Sequence, residues 1–252
     1  MATNNNKNVD SWIKNRKEHD TKALENASRH FDDKDALTVN TLEAIYGRET
    51  SFGTAKNLGT RGKKGPAGYF QISLDTTNRY SKSKISKSND IRFDIDDASN
   101  IAALYLVNLN KLFSKKSFLI GDEKNHENDV YTFKIEDMNE RKFFIIAAYN
   151  AGEGKIAKAQ MEAKADGKDP TKWEVVKEYL KKAGATDAKV EEIIQYVESA
   201  TAYEKEFSQK SKADKKLKDK NPKKLSDNSF EDGHWITLDN GNHVLIKDKK
   251  NS

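Results

Sequence analysis

The chain has 252 residues, enough to bury a sizeable core in one domain with extensions. It contains no cysteine, which excludes disulfides and thiolate metal sites. The net charge of +5 is local: Lys210 to Lys224 carries eight lysines against Asp214 and Asp219, a net of +6, and leaves the remainder about neutral. Neither interleaved aromatics nor a nucleic-acid motif accompanies that segment, so nucleic acid is not an expected partner.

Residues Met1 to Asp10 are Asn-rich and polar, without the apolar core of a signal peptide. No apolar run approaches the roughly 18 residues that span a bilayer. Ser11 to Phe31 reads as a charged helical extension over 11–30, with Trp12, Ile13, Leu24, Ala27 and Phe31 as packing points. A second helix is expected over 35–49. On it Leu42, Ile45, Tyr46 and Glu49 share one face, so an acid stands where a hydrophobe is expected. It is either a solvated group on a last helical turn or an acid/base residue at the mouth of a cleft.

Five of the 13 glycines then fall between Gly53 and Gly68, and no Asp or Glu occurs from Thr50 to Leu74, where Lys56, Arg61, Lys63 and Lys64 do. Such a stretch is either a mobile surface loop or the wall of a groove whose backbone a bulky ligand approaches closely. The return to Ala67, Tyr69, Phe70 and Ile72 predicts that its far end re-enters the core.

Further helices are expected over 97–113, 140–151, 171–183 and 187–207, the last starting at Asp187 before Val190, Ile193, Ile194 and Val197, with a small strand or hairpin insertion within 115–134. Phe143 to Asn150 is continuously apolar until its end and reads as the central buried helix. Tyr149 and Asn150 arrive where Gly152 and Gly154 break it; they are either packing and a helix stop or two hydrogen-bonding groups at the rim of the core. The lysine-rich segment lacks apolar periodicity and contains Pro222, so it reads as a solvated linker, with loose attraction to anionic wall polymers or lipid head groups as the functional option.

Beyond it, Asn240-Gly241 between two β-branched and aromatic runs signals a hairpin with a two-residue turn. That turn would set Trp235 opposite Ile246, Thr237 opposite Val244, Ile236 opposite Leu245 and Leu238 opposite His243. His234 and His243 lack a third ligand at sensible spacing, so no metal site is expected. The organisation predicted is a polar N-terminus and helical extension over 1–34, a catalytic domain over 35–208, a linker over 209–229 and a β-hairpin tail over 230–252.

Three motifs stand together. Glu49-Thr50-Ser51-Phe52, Gly65-Pro66-Ala67-Gly68-Tyr69-Phe70-Gln71 and Ala147-Ala148-Tyr149-Asn150-Ala151-Gly152-Glu153-Gly154 resemble, in order and rough spacing, the soluble lytic transglycosylase catalytic domain. Glu191-Glu192-Ile193-Ile194-Gln195-Tyr196-Val197 resembles that family's late Glu-Thr-x-x-Tyr-Val helix, and the likeness covers about Leu37 to Phe207. Departures are Thr50 for the usual Ser, Tyr69-Phe70 for the usual Leu-Met, and the lysines of the intervening loop.

The resemblance implies a mainly helical α+β, lysozyme-like fold that needs no cofactor and acts on peptidoglycan glycan strands. It makes Glu49 the sole catalytic acid/base and Thr50, Gly68, Gln71, Tyr149, Asn150 and Tyr196 the groove residues. Two other readings stay open: a hydrolytic lysozyme with a water-activating carboxylate from Asp75, Asp94, Asp96 or Glu153, and a non-catalytic wall-binding virion protein. An enzyme of this kind acts in the bacterial envelope, and the polar start of the chain implies delivery by a virion, a holin or a secretion machine. The tail is also similar to a short hairpin of some bacteriophage morphogenesis and virion proteins.

Overall fold

The computed structural model describes residues 9–14, 16–32, 35–81, 85–122, 125–220, 233–237 and 243–247. The chain divides into two compact units, Met1–Gln209 and Lys210–Ser252. The first is mainly helical with a small antiparallel sheet, the α+β class expected.

The extension is two helices rather than one. Residues 9–14 form α1, and α2 spans Glu18–Ser28 after an extended Lys17 at φ −76° and ψ 144°. Its docking has a polar cause as well as an apolar one. Glu43 is buried in α3 (Val39–Thr50) and accepts from Arg16 Nη1 at 3.0 Å and Trp12 Nε1 at 3.4 Å. Without those donors the carboxylate would be stranded in a low dielectric, so residues from the extension complete the core. Leu24 and Ala27 pack beside them.

Thr38 starts α3, its backbone N–H donating to Thr41 Oγ1 at 3.0 Å. The helix stops through three successive left-handed residues, Ser51, Phe52 and Gly53, with φ of 49°, 60° and 74°. Phe52 thereby folds back onto its own helix, which Gly47 permits: a Cβ there would meet the Phe52 ring at 2.4 Å.

Next come α4 (Leu74–Tyr80), a 3₁₀ turn over Ile91–Phe93, and α5 (Ile95–Phe113). The fully buried stripe Ile101, Ala102, Leu106, Leu109 and Phe113 of α5 faces the core, each large side chain stabilising it by about 1.5–3 kcal/mol. β1 (Ser117–Asp122) and β2 (Asn125–Thr132) form the expected insertion, with Ser117 opposite Thr132 and Phe118 opposite Tyr131.

The central helix α6 (Met138–Ala151) starts at Asp137, whose side chain accepts from the N–H groups of Asn139 and Glu140. Phe144 to Ala148 are all but inaccessible, as the apolar run predicts. Gly152, at φ 84°, ends α6, but Gly154 breaks nothing: α7 (Glu153–Ala165) restarts at once, an element the sequence reading passed over. Its Gln160 is fully buried and accepts from Phe133 N at 3.2 Å, tying the end of the hairpin to the core.

The segment expected as a helix over 171–183 is a four-residue α8 (Trp173–Val176) continued by a 3₁₀ turn. α9 spans Asp187–Lys220 with Thr186 as its cap, so the first part of the presumed linker is helical; residues 221–232 lie outside the described residues.

In the second unit β3 (Gly233–Thr237) pairs antiparallel with β4 (His243–Lys247). The register departs by one residue from that of a two-residue turn: Trp235 stands opposite Leu245, Ile236 opposite Val244 and Thr237 opposite His243. One residue more or less in a connection moves every pair. Leu238 and the Asn240-Gly241 turn itself lie outside the described residues.

Candidate active site

The end of α3 carries Glu49 to the floor of a cleft of about 340 Å³ that it shares with Pro66, Gln71, Ile72, Tyr105 and Tyr149, with Asn150, Lys189 and Glu192 along the rim. The acid is half-buried. Burial pushes its pKa up to about 7, against the Tyr196 hydroxyl, Arg48 and Lys189, which favour the charged form. Tyr46, expected beside it, packs instead with Trp12, Tyr69 and Phe70. Tyr196, on the buried face of α9, donates its hydroxyl to Glu49 Oε1 at 2.5 Å. Burial also holds the phenols of Tyr196 and Tyr149 far above neutrality, so both remain donors.

The glycine-rich wall is held by a buried ion pair. Arg92, 1% exposed, bonds Asp90 through Nε at 2.9 Å and Nη2 at 2.7 Å and donates to the carbonyls of Lys63, Gly65 and Ile72. Burial raises the pKa of Asp90, but Arg92 and the Gly62 N–H outweigh it and hold the group below the usual range. Gly68 sits against this arginine at φ 75°, where a Cβ would lie 1.8 Å from Arg92 O. Only glycine fits there.

Thr50 is fully buried, its hydroxyl donating to Tyr69 O at 2.9 Å and accepting from Gly53 N at 3.1 Å. Thr50 and Gly68, expected to contact a ligand, therefore belong to the frame of the wall rather than to its accessible face. Gln71 does line the cleft. It holds a left-handed φ of 46° and its amide donates to Gly68 O at 2.7 Å and Leu58 O at 3.2 Å. Such a conformation in a non-glycine residue persists only where its surroundings enforce it. Tyr149 contributes to that enforcement, donating to Phe70 O at 2.9 Å.

Asn150 binds the opposite rim. Its Nδ2 donates to Glu192 Oε1 at 3.1 Å, and Lys189 Nζ donates to Asn150 Oδ1 at 3.1 Å and to Glu192 at 2.7 Å. Lys189 above all, with Asn150, holds the Glu192 carboxyl below its ordinary range. Neither Glu192, although quoted within the late helix motif, nor Lys189 is expected from the sequence as a site residue, yet Glu192 lies one turn before Tyr196, spacing that puts both on one helix face. Tyr105 is the other omission, a polar tip in the apolar stripe of α5; its hydroxyl donates to Glu153 Oε2 at 3.1 Å.

Of the four carboxylates weighed as water activators, none lines the cleft. Asp75 is exposed in the first turn of α4, Asp94 caps α5, Asp96 pairs with His19 at 3.1 Å, and Glu153 is taken by Tyr105 and Arg79. Among the described residues no group of three or more His, Asp or Glu could hold a metal ion.

A half-buried carboxyl with its pKa pushed up to about 7, at a helix end in a cleft of a mainly helical fold, is a candidate acid/base site of the lysozyme-like class. The family model described as Transglycosylase SLT domain matches residues 27–172. That is more than half of the chain, which therefore belongs to this family: it is a peptidoglycan lytic transglycosylase, a lyase acting on polysaccharide at the cell wall. No curated protein matches it. Among the described residues no helix is long and apolar enough to cross a membrane.

Proposed function

We propose that the enzyme cleaves the β-1,4 bond between N-acetylmuramic acid and N-acetylglucosamine and closes a 1,6-anhydro ring, with Glu49 as its acid and its base. The observation that carries this is a half-buried Glu49 with a pKa pushed up to about 7. Protonated, it gives its proton to the glycosidic oxygen as the bond to the anomeric carbon breaks, while the neighbouring acetamido oxygen supports the positive charge left there. As a carboxylate it takes the proton of the muramic 6-hydroxyl, whose oxygen bonds the anomeric carbon. The acid is restored and no water is consumed. A pKa near the working pH serves both halves.

Tyr196 steadies the carboxylate between the two transfers. Gln71 and Tyr149 contact the glycan, and Asn150 holds the Lys189–Glu192 rim; Thr50 and Gly68 shape the wall from behind. The catalytic domain is the 35–208 segment, its core completed by the helical extension that precedes it. We further propose use in wall degradation by a phage or secretion machine, supported by the likeness of the tail hairpin, and attraction of Lys210–Lys224 to anionic wall polymers, supported by its net charge of +6.

A hydrolytic reading has one observation in its favour: Glu192, held ionised, lines the same cleft as Glu49. Mass spectrometry of muropeptides released from purified sacculi in ¹⁸O-water separates the two. Anhydro products that lack one water and carry no label are expected. Labelled reducing ends would establish hydrolysis instead.

A further inference from the structure

Arg48 precedes the acid and takes no part in the chemistry described above. Its guanidinium carbon lies 5.4 Å from the centroid of the Tyr196 ring, the ring whose hydroxyl is bonded to Glu49. Its Nε is buried and, among the described residues, has no hydrogen-bond partner. A buried donor left unbonded is destabilising, so the arginine is poorly explained as a source of stability.

Resting on the assignment of Glu49 as the proton shuttle, we propose that Arg48 is a positioning residue for it: stacked on Tyr196, it fixes the phenol against the carboxyl and balances the burial of the acid with a fixed positive charge. A cation over an aromatic face is held by the ring quadrupole, which restrains the ring in turn. The other groups facing the carboxyl are Tyr149 from α6 and Lys189, Glu192 and Tyr196 from α9, while the glycine-rich wall presents the uncharged Gln71 and α5 the Tyr105 phenol. Lys189 is neutralised locally by Glu192 at 2.7 Å, whereas Arg48 has no ion pair among the described residues. Arg48 also acts on Glu192 at the rim, and its loss removes a positive charge that favours the Glu49 carboxylate. The acid would hold its proton more tightly, and the return half of the cycle would slow.

The test compares wild type, Arg48→Met, Arg48→Gln and Arg48→Lys. In the two neutral variants the alkaline limb of the pH–rate profile on sacculi moves upward by about threefold to tenfold in apparent acid constant, and kcat falls about tenfold with KM within twofold. Arg48→Lys keeps the limb at its wild-type position. A ¹³C titration of the Glu49 carboxyl in the same proteins moves by the same factor and needs no activity. An unmoved titration in folded neutral variants overturns the inference, as does a loss of rate matched by a loss of folded protein. A wild type that makes no anhydro products would refute the reaction assigned above, while the carboxyl titration would still decide the role of Arg48.

Discussion

Replacing Glu49 by Gln makes the protein more stable at alkaline pH, and the size of the gain follows from the burial of the acid. The carboxyl has a pKa of about 7 when folded, against an ordinary value of 4.5 that the unfolded chain recovers. Between those two values the folded protein binds the proton that the unfolded chain has released, so stability falls as pH rises. At about 1.36 kcal/mol per pH unit the full penalty above pH 7 approaches about 3 kcal/mol, and solvent at the cleft mouth reduces it to about 2. Gln is never charged and still accepts from Tyr196. Urea unfolding at pH 4 and pH 8.5 measures the difference: the variant should match wild type at the lower pH and exceed it by about 2 kcal/mol at the higher. Equal pH dependence in the two proteins would mean that the acid is not desolvated, and the reasoning about its chemistry would fail with it.

Tyr196→Phe removes the 2.5 Å bond that favours the carboxylate. With a charge-assisted bond worth about 1.5–3 kcal/mol, the alkaline limb of sacculus digestion should move up by roughly one to two pH units, and a downward move would contradict the geometry. Arg92→Met leaves Asp90 buried without its partner and the Lys63, Gly65 and Ile72 carbonyls unbonded. It should cost about 3–5 kcal/mol in chemical denaturation and lower kcat through Gln71; a loss under about 1 kcal/mol would show that the wall holds itself.

The acid and the central helix were legible because both break a pattern locally. Glu49 interrupts an apolar face, and the run from Phe143 is too hydrophobic for any exposed helix. What stayed hidden depends on contacts distant in the chain or on backbone choices that residue type alone leaves open. Gly152 and Gly154 look alike in sequence, yet only the first adopts a positive φ, so α7 was missed despite Ile156, Ala159, Gln160 and Ala163 at helical spacing. Arg92 stands between Ile91 and Phe93, where residue type alone does not mark it as the clamp of a loop some 30 residues earlier in the chain. Thr50 and Gly68 sat inside recognised motifs and were read as ligand contacts, because motif membership does not distinguish a residue that touches the substrate from one that shapes the wall. The lysine-rich stretch lacks apolar periodicity, but Lys and Ala are good helix formers and extend a helix already begun.

The central claim is that one side chain moves the proton in both halves of the cleavage, and rate measurement on purified sacculi with Glu49→Gln tests it most directly. With the variant folded as judged by its urea transition, release of anhydro-muropeptides should fall by about 100-fold to 10,000-fold or more. Release within a few-fold of wild type would contradict it, because the bond would then be breaking without the Glu49 proton.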